Sequence, residues 1–415
     1  MFQSKSLSER TLSSVISSPM ASKQLVMEDD NPFLPDDIII NILKRLPVKS
    51  LIRFQCVSKD WKNLIKTPFF IQDHLHHSNH QNPSLLLQPD RPRNSLRDIH
   101  VAVLGCEKRV LDIQEPPLID SSLDNGLVVV GSCNGLVLAR IVERGTSFPL
   151  WLKKNGLPPP SVSLLLWNPA IREVKKVPRN INDYDGLYLL VFGFSPIDND
   201  YKIMRITVCE LHFVVNSVEV YSLNSGSWKK VGFGNLEGVG FGNLRNVTVN
   251  GVMFFVGRKD DFNDQVVSFD LTNEVFTLIP MPDLGCAYIR RLTVYENKIG
   301  VIADSVGKDK SHFIRLWVME EDTCVSGKTW NWTRIHASKH CSLPRELNPM
   351  TIWRNEIVFH PLYQIENDVE TNKFYLLNIA TDEFEKFSIS CGYISKIFNY
   401  VESLVSVSNI DVEEP

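Results

Sequence analysis

One short pattern returns along most of the chain, and it restricts the fold more than any other feature. An apolar run ends in an aromatic residue or leucine, a polar turn follows, and a large residue opens a second run seven positions on. It reads LLLWNPAIREVKKVP (164–178), VEVYSLNSGSWKKV (218–231), VVSFDLTNEVFTLIP (266–280) and KFYLLNIATDEFEKF (373–387), with a looser copy in FIRLWVMEEDTCVSG (313–327). Aligned on Trp167, Tyr221, Phe269, Trp317 and Leu377, the copies are 54, 48, 48 and 60 residues apart. Between them, turn asparagines introduce further apolar runs at Asn134-Gly135, Asn250-Gly251, Asn297-Lys298 and Asn355-Glu356.

A period near fifty with about four strands per unit fits a β-propeller blade. A single blade leaves both sheet faces in water, and packing blades in a ring covers them. Five units are clear, and residues 84–115 (SLLLQ, DIHVAVLG, KRVLDI) supply strands of a sixth. The expectation is a mainly β chain: a small helical N-terminal module, then a six-bladed propeller-like domain over 84–408. A β-sandwich or two packed antiparallel domains would share the local texture, and the repeat alone leaves them open. Ring closure sharpens the expectation. Residues 84–115 are short of a full blade, and the alternating segment YVESLVSV (400–407) follows the last unit. It is therefore expected to pair within the sheet begun by 84–115, with Tyr400 and Leu404 on a buried face.

Ahead of the repeats the texture is helical. Residues 1–30 are serine-rich and short of large apolar groups, a composition that does not offset ordering entropy, so they read as a flexible tail. Over 31–76 the spacing predicts three short helices. Pro35, Asp36 and Asp37 suit a helix start, because proline is preorganised for the first turn and carboxylates favour the positive dipole end. Ile38 and Ile42, beside Ile39, Leu43 and Leu46, then fall on adjoining stripes, and Pro47 ends the helix. Leu51 and Phe54 mark a second helix. Ser58 caps a third that aligns Trp61, Leu64 and Ile65 and stops near Pro68. So small a domain is marginal alone, and a partner would complete its core. Residues 77–83 read as a linker and 409–415 as a flexible end.

The first of these regions resembles a known family closely. LPDDIIINILKRLPVKSLIRFQCVSKDWKNLI (34–65) is similar to the F-box in its Leu34-Pro35 start, Leu46-Pro47, Leu51, Val57-Ser58-Lys59 and Trp61. The resemblance implies docking on a Skp-type adaptor, and through it on a cullin, with Leu34, Pro35, Ile38, Ile42, Leu46, Pro47, Leu51, Val57, Lys59 and Trp61 as adaptor-binding residues. The remainder resembles the plant F-box-associated, kelch-like domain, the group that includes the pollen self-incompatibility F-box proteins. Its hallmarks here are GSCNGL (131–136), Trp167-Asn168-Pro169, VFGFSPIDNDYKIMRI (191–206) and YVESLVSV. The implied function is substrate recognition in a Skp–cullin–F-box ubiquitin ligase, with an unknown protein target on the β-domain and no catalysis by this chain. Two alternatives stand: a scaffold that binds the adaptor without target turnover, and a carbohydrate-binding module that brings the ligase to glycoproteins. Two segments depart from the family pattern, 143–163 by its length and 232–247 by a tandem GFGNLEGV/GFGNLRNV duplication. Both lie in the domain that would choose the target.

Other chemistries find little support. With 44 basic and 48 acidic residues the chain carries a net charge of −4, so nucleic acid is not expected as a partner. The eight cysteines are scattered without a C-x-x-C pair, and they read as reduced thiols rather than a disulfide framework or a nucleophile. No apolar run approaches the ~20 residues that cross a bilayer, and no secretory leader pattern opens the sequence, so no membrane contact is expected. The expected location is cytoplasm or nucleus, where the glycosylation patterns at Asn246 and Asn331 would go unused. HLHHSNH (74–80) lacks the ligand spacing of a metal site and reads as solvated linker. The glycine-rich duplication lacks the Lys-Ser/Thr pair of a phosphate loop and reads as a surface turn or a repeated hairpin. No cofactor is expected.

Overall fold

The computed structural model describes residues 34–408 apart from 90–99, 116–125, 143–162, 179–187, 210–213, 242–245, 260–263, 286, 288, 307–311, 323–328, 339–346, 362–372 and 390–393. The tail at 1–30 and the end at 409–415 lie outside the described residues.

Among the described residues four helices precede the strands: α1 (Asp36–Leu43), α2 (Val48–Phe54), α3 (Lys59–Ile65) and α4 (Pro68–Gln81). The expected three-helix module with a linker over 77–83 is corrected here. Pro68 stands in the first turn of α4, where a missing N–H costs nothing, and Thr67 caps it by accepting the Phe70 N–H at 3.2 Å. HLHHSNH belongs to this helix, and His74 within it is buried.

Six four-stranded antiparallel sheets follow. In chain order the strands are β1 (Ser84–Pro89), β2 (Val101–Leu104), β3 (Val110–Gln114), β4 (Gly126–Cys133), β5 (Leu136–Val142), β6 (Ser163–Asn168), β7 (Glu173–Val177), β8 (Tyr188–Ser195), β9 (Asp200–Val208), β10 (Val215–Ser222), β11 (Ser227–Val231), β12 (Val247–Val249), β13 (Val252–Arg258), β14 (Asp264–Asp270), β15 (Phe276–Pro280), β16 (Ile289–Tyr295), β17 (Lys298–Val306), β18 (His312–Asp322), β19 (Thr329–Ala337), β20 (Leu347–Trp353), β21 (Glu356–Pro361), β22 (Lys373–Asn378), β23 (Phe384–Ser388) and β24 (Ile394–Tyr400). Five sheets take four consecutive strands each, and the sixth has the order β24-β1-β2-β3. Six apolar clusters join neighbouring blades in turn, the last uniting Leu85 and Ile397 of the mixed blade with Trp353 and Phe374 of the final one. The fold is a closed six-bladed β-propeller.

The repeat has a direct physical meaning. The aligned residues all lie on the third strand of a blade, and in four copies the residue seven positions on is the cross-strand partner: Trp167 with Val174, Tyr221 with Trp228, Phe269 with Phe276, Leu377 with Phe384. In the looser copy Trp317 pairs instead with Arg334, across a longer connection. Each intervening turn needs a left-handed residue, supplied five positions after the anchor by Arg172, Gly226, Glu274 and Asp382, with φ from 56° to 63°. Asn168, Ser222, Asp270 and Asn378, one position after the anchor, accept turn backbone N–H groups through their side-chain oxygens. The turn asparagines close two-residue hairpins in which both residues have positive φ, at Asn134-Gly135, Asn250-Gly251, Glu296-Asn297 and Arg354-Asn355.

Closure occurs through an earlier segment than the alternating pattern indicated. The pairing strand is Ile394–Tyr400, which runs antiparallel to β1 from Ser84↔Tyr400 to Pro89↔Ile394. Residues 401–407 form no strand, although Tyr400 and Leu404 are both buried. The glycine-rich duplication is likewise more than a surface turn. Leu236, Val239 and Phe241 are buried in the cluster between the third and fourth blades, and Gly240 bridges to both Val214 and Arg258.

Candidate functional site

Two features define the candidate site: an apolar face on the helices, and the way those helices are fixed to the propeller. Leu34, Ile38 and Ile42 are spaced by four residues along α1 and its approach, so they share one helix face, and each remains about half exposed. Ile52 on α2, Val57 before α3 and Phe69 at the start of α4 add exposed apolar area, Phe69 at 70 % and Val57 at 68 %. Pro35, Pro47 and Lys59 are exposed, while Leu46 and Trp61 are half-buried. Trp61 packs on Phe54 with ring centroids 5.5 Å apart.

Leu51 does not belong with the contact residues. It is fully buried beside Leu43, Val48, Ile65 and Phe70, so its part is core packing rather than adaptor contact. Ile52 and Phe69 are exposed positions that the motif comparison missed. Ile52 directly follows Leu51, so its exposure is the expected consequence of helical periodicity; Phe69 lies within the 31–76 module but beyond the 34–65 segment that carries the resemblance.

The helical core continues into the propeller. Leu404, Ala170 and Ile171 pack into the same cluster as Leu43 and Phe70. Glu402 accepts the backbone N–H of Val48 at 3.2 Å, at the start of α2, where Pro47 offers no side-chain cap. Burial pushes the Glu402 carboxyl above the usual carboxylate range, with nearby Asp112 adding to the rise and the Val48 N–H opposing it.

Residues 401–407 act as a strap between the two parts, and the hallmark residues hold it. The Asn168 side-chain amide donates to the carbonyls of Ser403 at 2.9 Å and Val405 at 2.8 Å, and Asn168 is fully buried. Glu173 accepts from the Ser406 hydroxyl at 2.7 Å and the Val407 N–H at 2.9 Å. Gly135 lies so near the strap that a Cβ there would stand 2.2 Å from the Ser403 Cβ. At φ 79° it is also in the left-handed region, so glycine is required on both counts. Thus Asn134-Gly135 and Trp167-Asn168-Pro169 serve as turn chemistry, packing anchor and strap clamp together.

Strand direction separates the two ends of the propeller. The strap and helices lie at the end where strands are joined by connections of two to six residues, such as 134–135, 169–172 and 354–355. The connections at the opposite rim run from five residues to the twenty of 143–162, and include 232–246. Both segments that depart from the family pattern therefore begin and end at the rim away from the helices.

Among the described residues, no group of three or more His, Cys, Asp and Glu is placed to hold a metal ion, and no helix is long and apolar enough to cross a membrane. Burial pushes the Cys133 thiol up to about 12, so it stays protonated at neutral pH.

His74 ties α4 to the rest of the module. Its Nε2 donates to the Leu46 carbonyl at 3.0 Å, and its buried Nδ1 has no partner among the described residues. Burial lowers its pKa below the ordinary 6.5, with His77 adding to the fall. The unfolded chain therefore takes up this proton more readily, and the stability that neutral His74 contributes is lost as pH falls through and below 6.5. On acidification from pH 7.5 to 5.5, wild type should lose more melting temperature than His74→Leu. Parallel curves for the two proteins would refute this assignment.

Comparison with known proteins agrees with these two parts. Residues 129–409 match the F-box associated beta propeller domain, and residues 32–73 match the F-box domain. The Arabidopsis thaliana F-box protein At3g49450 is 25 % identical over 281 residues, spanning 65 % of this chain and 64 % of its own length. At2g21930, from the same plant, is 28 % identical over 297 residues, or 69 % of each chain. The chain thus spans slightly under two thirds of the first of these relatives.

Proposed function

Because the chain belongs to the F-box associated β-propeller family and carries an F-box ahead of the propeller, we propose that it is the substrate-recognition subunit of a Skp–cullin–F-box ubiquitin ligase. The observation that carries this reading is an exposed apolar face fixed to a propeller: Leu34, Ile38, Ile42, Val57 and Phe69 lie in water while the core behind them is shared with Leu404. Such a face on so small a module marks a partner surface. The Skp-type adaptor covers it and joins the chain to a cullin. The protein target binds the propeller at the rim away from the helices, where the longer connections begin and end. This chain positions the target and leaves covalent chemistry to the rest of the ligase; the rate gain comes from proximity. It acts in cytoplasm or nucleus. Its finer grouping with the pollen self-incompatibility F-box proteins rests on the hallmarks at 131–136, 167–169 and 191–206 and belongs to the same proposal.

Size-exclusion chromatography of the chain mixed with a Skp-type adaptor should give a stable one-to-one complex. Proteins that copurify under proteasome inhibition should accumulate in cells lacking the chain. No complex would remove the reading altogether. A complex with unchanged levels of every copurified protein would leave the adaptor-bound scaffold in its place.

A further inference from the structure

As a linker, HLHHSNH (74–80) would hold no fixed ligand spacing; as the final turns of α4 it does. Residues four apart on a helix lie one above the other on the same face. His76 and His80 stand in that relation, both exposed, with ring centroids 4.4 Å apart. His74, by contrast, is turned inward to the Leu46 carbonyl, and the Asp73 carboxylate is paired with Lys44 at 3.2 Å. The outer face therefore presents two imidazoles side by side.

The backbone also sets a tautomer. His80 Nδ1 lies 2.8 Å from the His76 carbonyl, which can only accept, so Nδ1 carries the proton and Nε2 keeps its lone pair. A metal-bound histidine characteristically donates its other ring N–H to such a carbonyl, which fixes the ring and raises the basicity of the ligating nitrogen. Two nitrogens on one tetrahedral zinc ion stand about 3.3 Å apart, given Zn–N bonds of about 2.0–2.1 Å. Adjacent rings on exposed side chains reach that separation by small rotations. His80 is also the penultimate residue of a helix of 14 residues, where terminal carbonyls make the local field negative and favour a cation.

We infer that His76 and His80 form a site for a divalent transition ion of the zinc, nickel and copper class, each through one ring nitrogen, with water in the remaining coordination positions. Imidazole suits these ions, whereas magnesium and calcium prefer oxygen donors. The bound ion cross-links the last turn of α4, just ahead of the connector that leads into β1. Adaptor docking can fail while the ion still binds, and the converse.

Calorimetric titration of the full chain with zinc sulfate tests this, with magnesium sulfate as the contrasting ion. Saturable zinc binding is expected. His76→Ala and His80→Ala should each weaken one equivalent of it at least tenfold, and His77→Ala should change it less than threefold. Alanine is the best helix former, so α4 stays intact in all three. Zinc should also raise the melting temperature of wild type more than that of either weakened variant. Absence of zinc binding in wild type, equal affinity in wild type and His76→Ala, or the same loss in His77→Ala as in His80→Ala would overturn the proposal. So would magnesium binding of comparable affinity.

Discussion

Removing residues 394–415 is expected to abolish the cooperative unfolding transition of the propeller, whereas removing 409–415 leaves it in place. The first truncation takes away the inner strand of the mixed blade together with its pairing to β1. It also strips Ile394 and Ile397 from the cluster shared with the last blade, and Tyr400 from the cluster shared with the second. Two bonds across the ring are lost with them, from Lys396 to the Val129 carbonyl and from Asn399 to the Ile352 carbonyl. Deleting one large buried side chain costs about 2–5 kcal/mol, and a whole domain is stable by only about 5–15 kcal/mol. Three such losses and an opened ring exceed that margin. Differential scanning calorimetry of the two truncated chains checks this. A transition of unchanged temperature in the chain ending at residue 393 would show that the mixed blade does not close the ring.

A second large effect is expected on the helices. Ile38→Asp combined with Ile42→Asp should reduce affinity for a Skp-type adaptor at least 100-fold, equivalent to about 2.7 kcal/mol, while leaving the melting temperature within a few degrees of wild type. Both side chains are roughly half exposed, so the unbound protein tolerates charge there, whereas the covered interface would bury it unpaired. Leu51→Ala should behave in the opposite sense. It hollows the module's core, lowers stability by about 2–5 kcal/mol, and weakens the complex only through folding. Surface plasmon resonance beside a thermal melt separates the two. Retention of full affinity by the double aspartate variant would move the docking face elsewhere.

Much of the architecture was legible because it is written in local chemistry. The seven-residue offset between Trp167 and Val174, or Tyr221 and Trp228, is the register of a hairpin, and turn residues repeat with it. What escaped reading was either locally ambiguous or set by distant partners. Pro68 is a stop signal inside a helix and a start signal at its first turn, and Thr67 behind it decides between the two. The alternation over 400–407 is genuine, but beyond Tyr400, which pairs with Ser84, it belongs to an extended strap held by Asn168 and Glu173 rather than to a paired strand. Leu51 and Ile52 are equivalent as apolar residues, and only the packing around α2 separates core from surface. His76 and His80 read as solvated linker until the helix begun at Pro68 sets them on one face.

The strap also sets an order of events during synthesis. The helices are complete by Gln81, yet the residue that finishes their core, Leu404, is made more than 300 residues later. At translation rates of 5–20 residues per second, that is a wait of roughly 16–65 s for the nascent chain. Through that interval the first helices carry an apolar outer face and an unfilled inner one, and β1 has no partner on its β24 side. The growing chain must be shielded from misassembly for longest at its beginning. An adaptor or chaperone that engages the helices on the ribosome would shorten that exposure, and the last strand to emerge would release both ends of the problem at once.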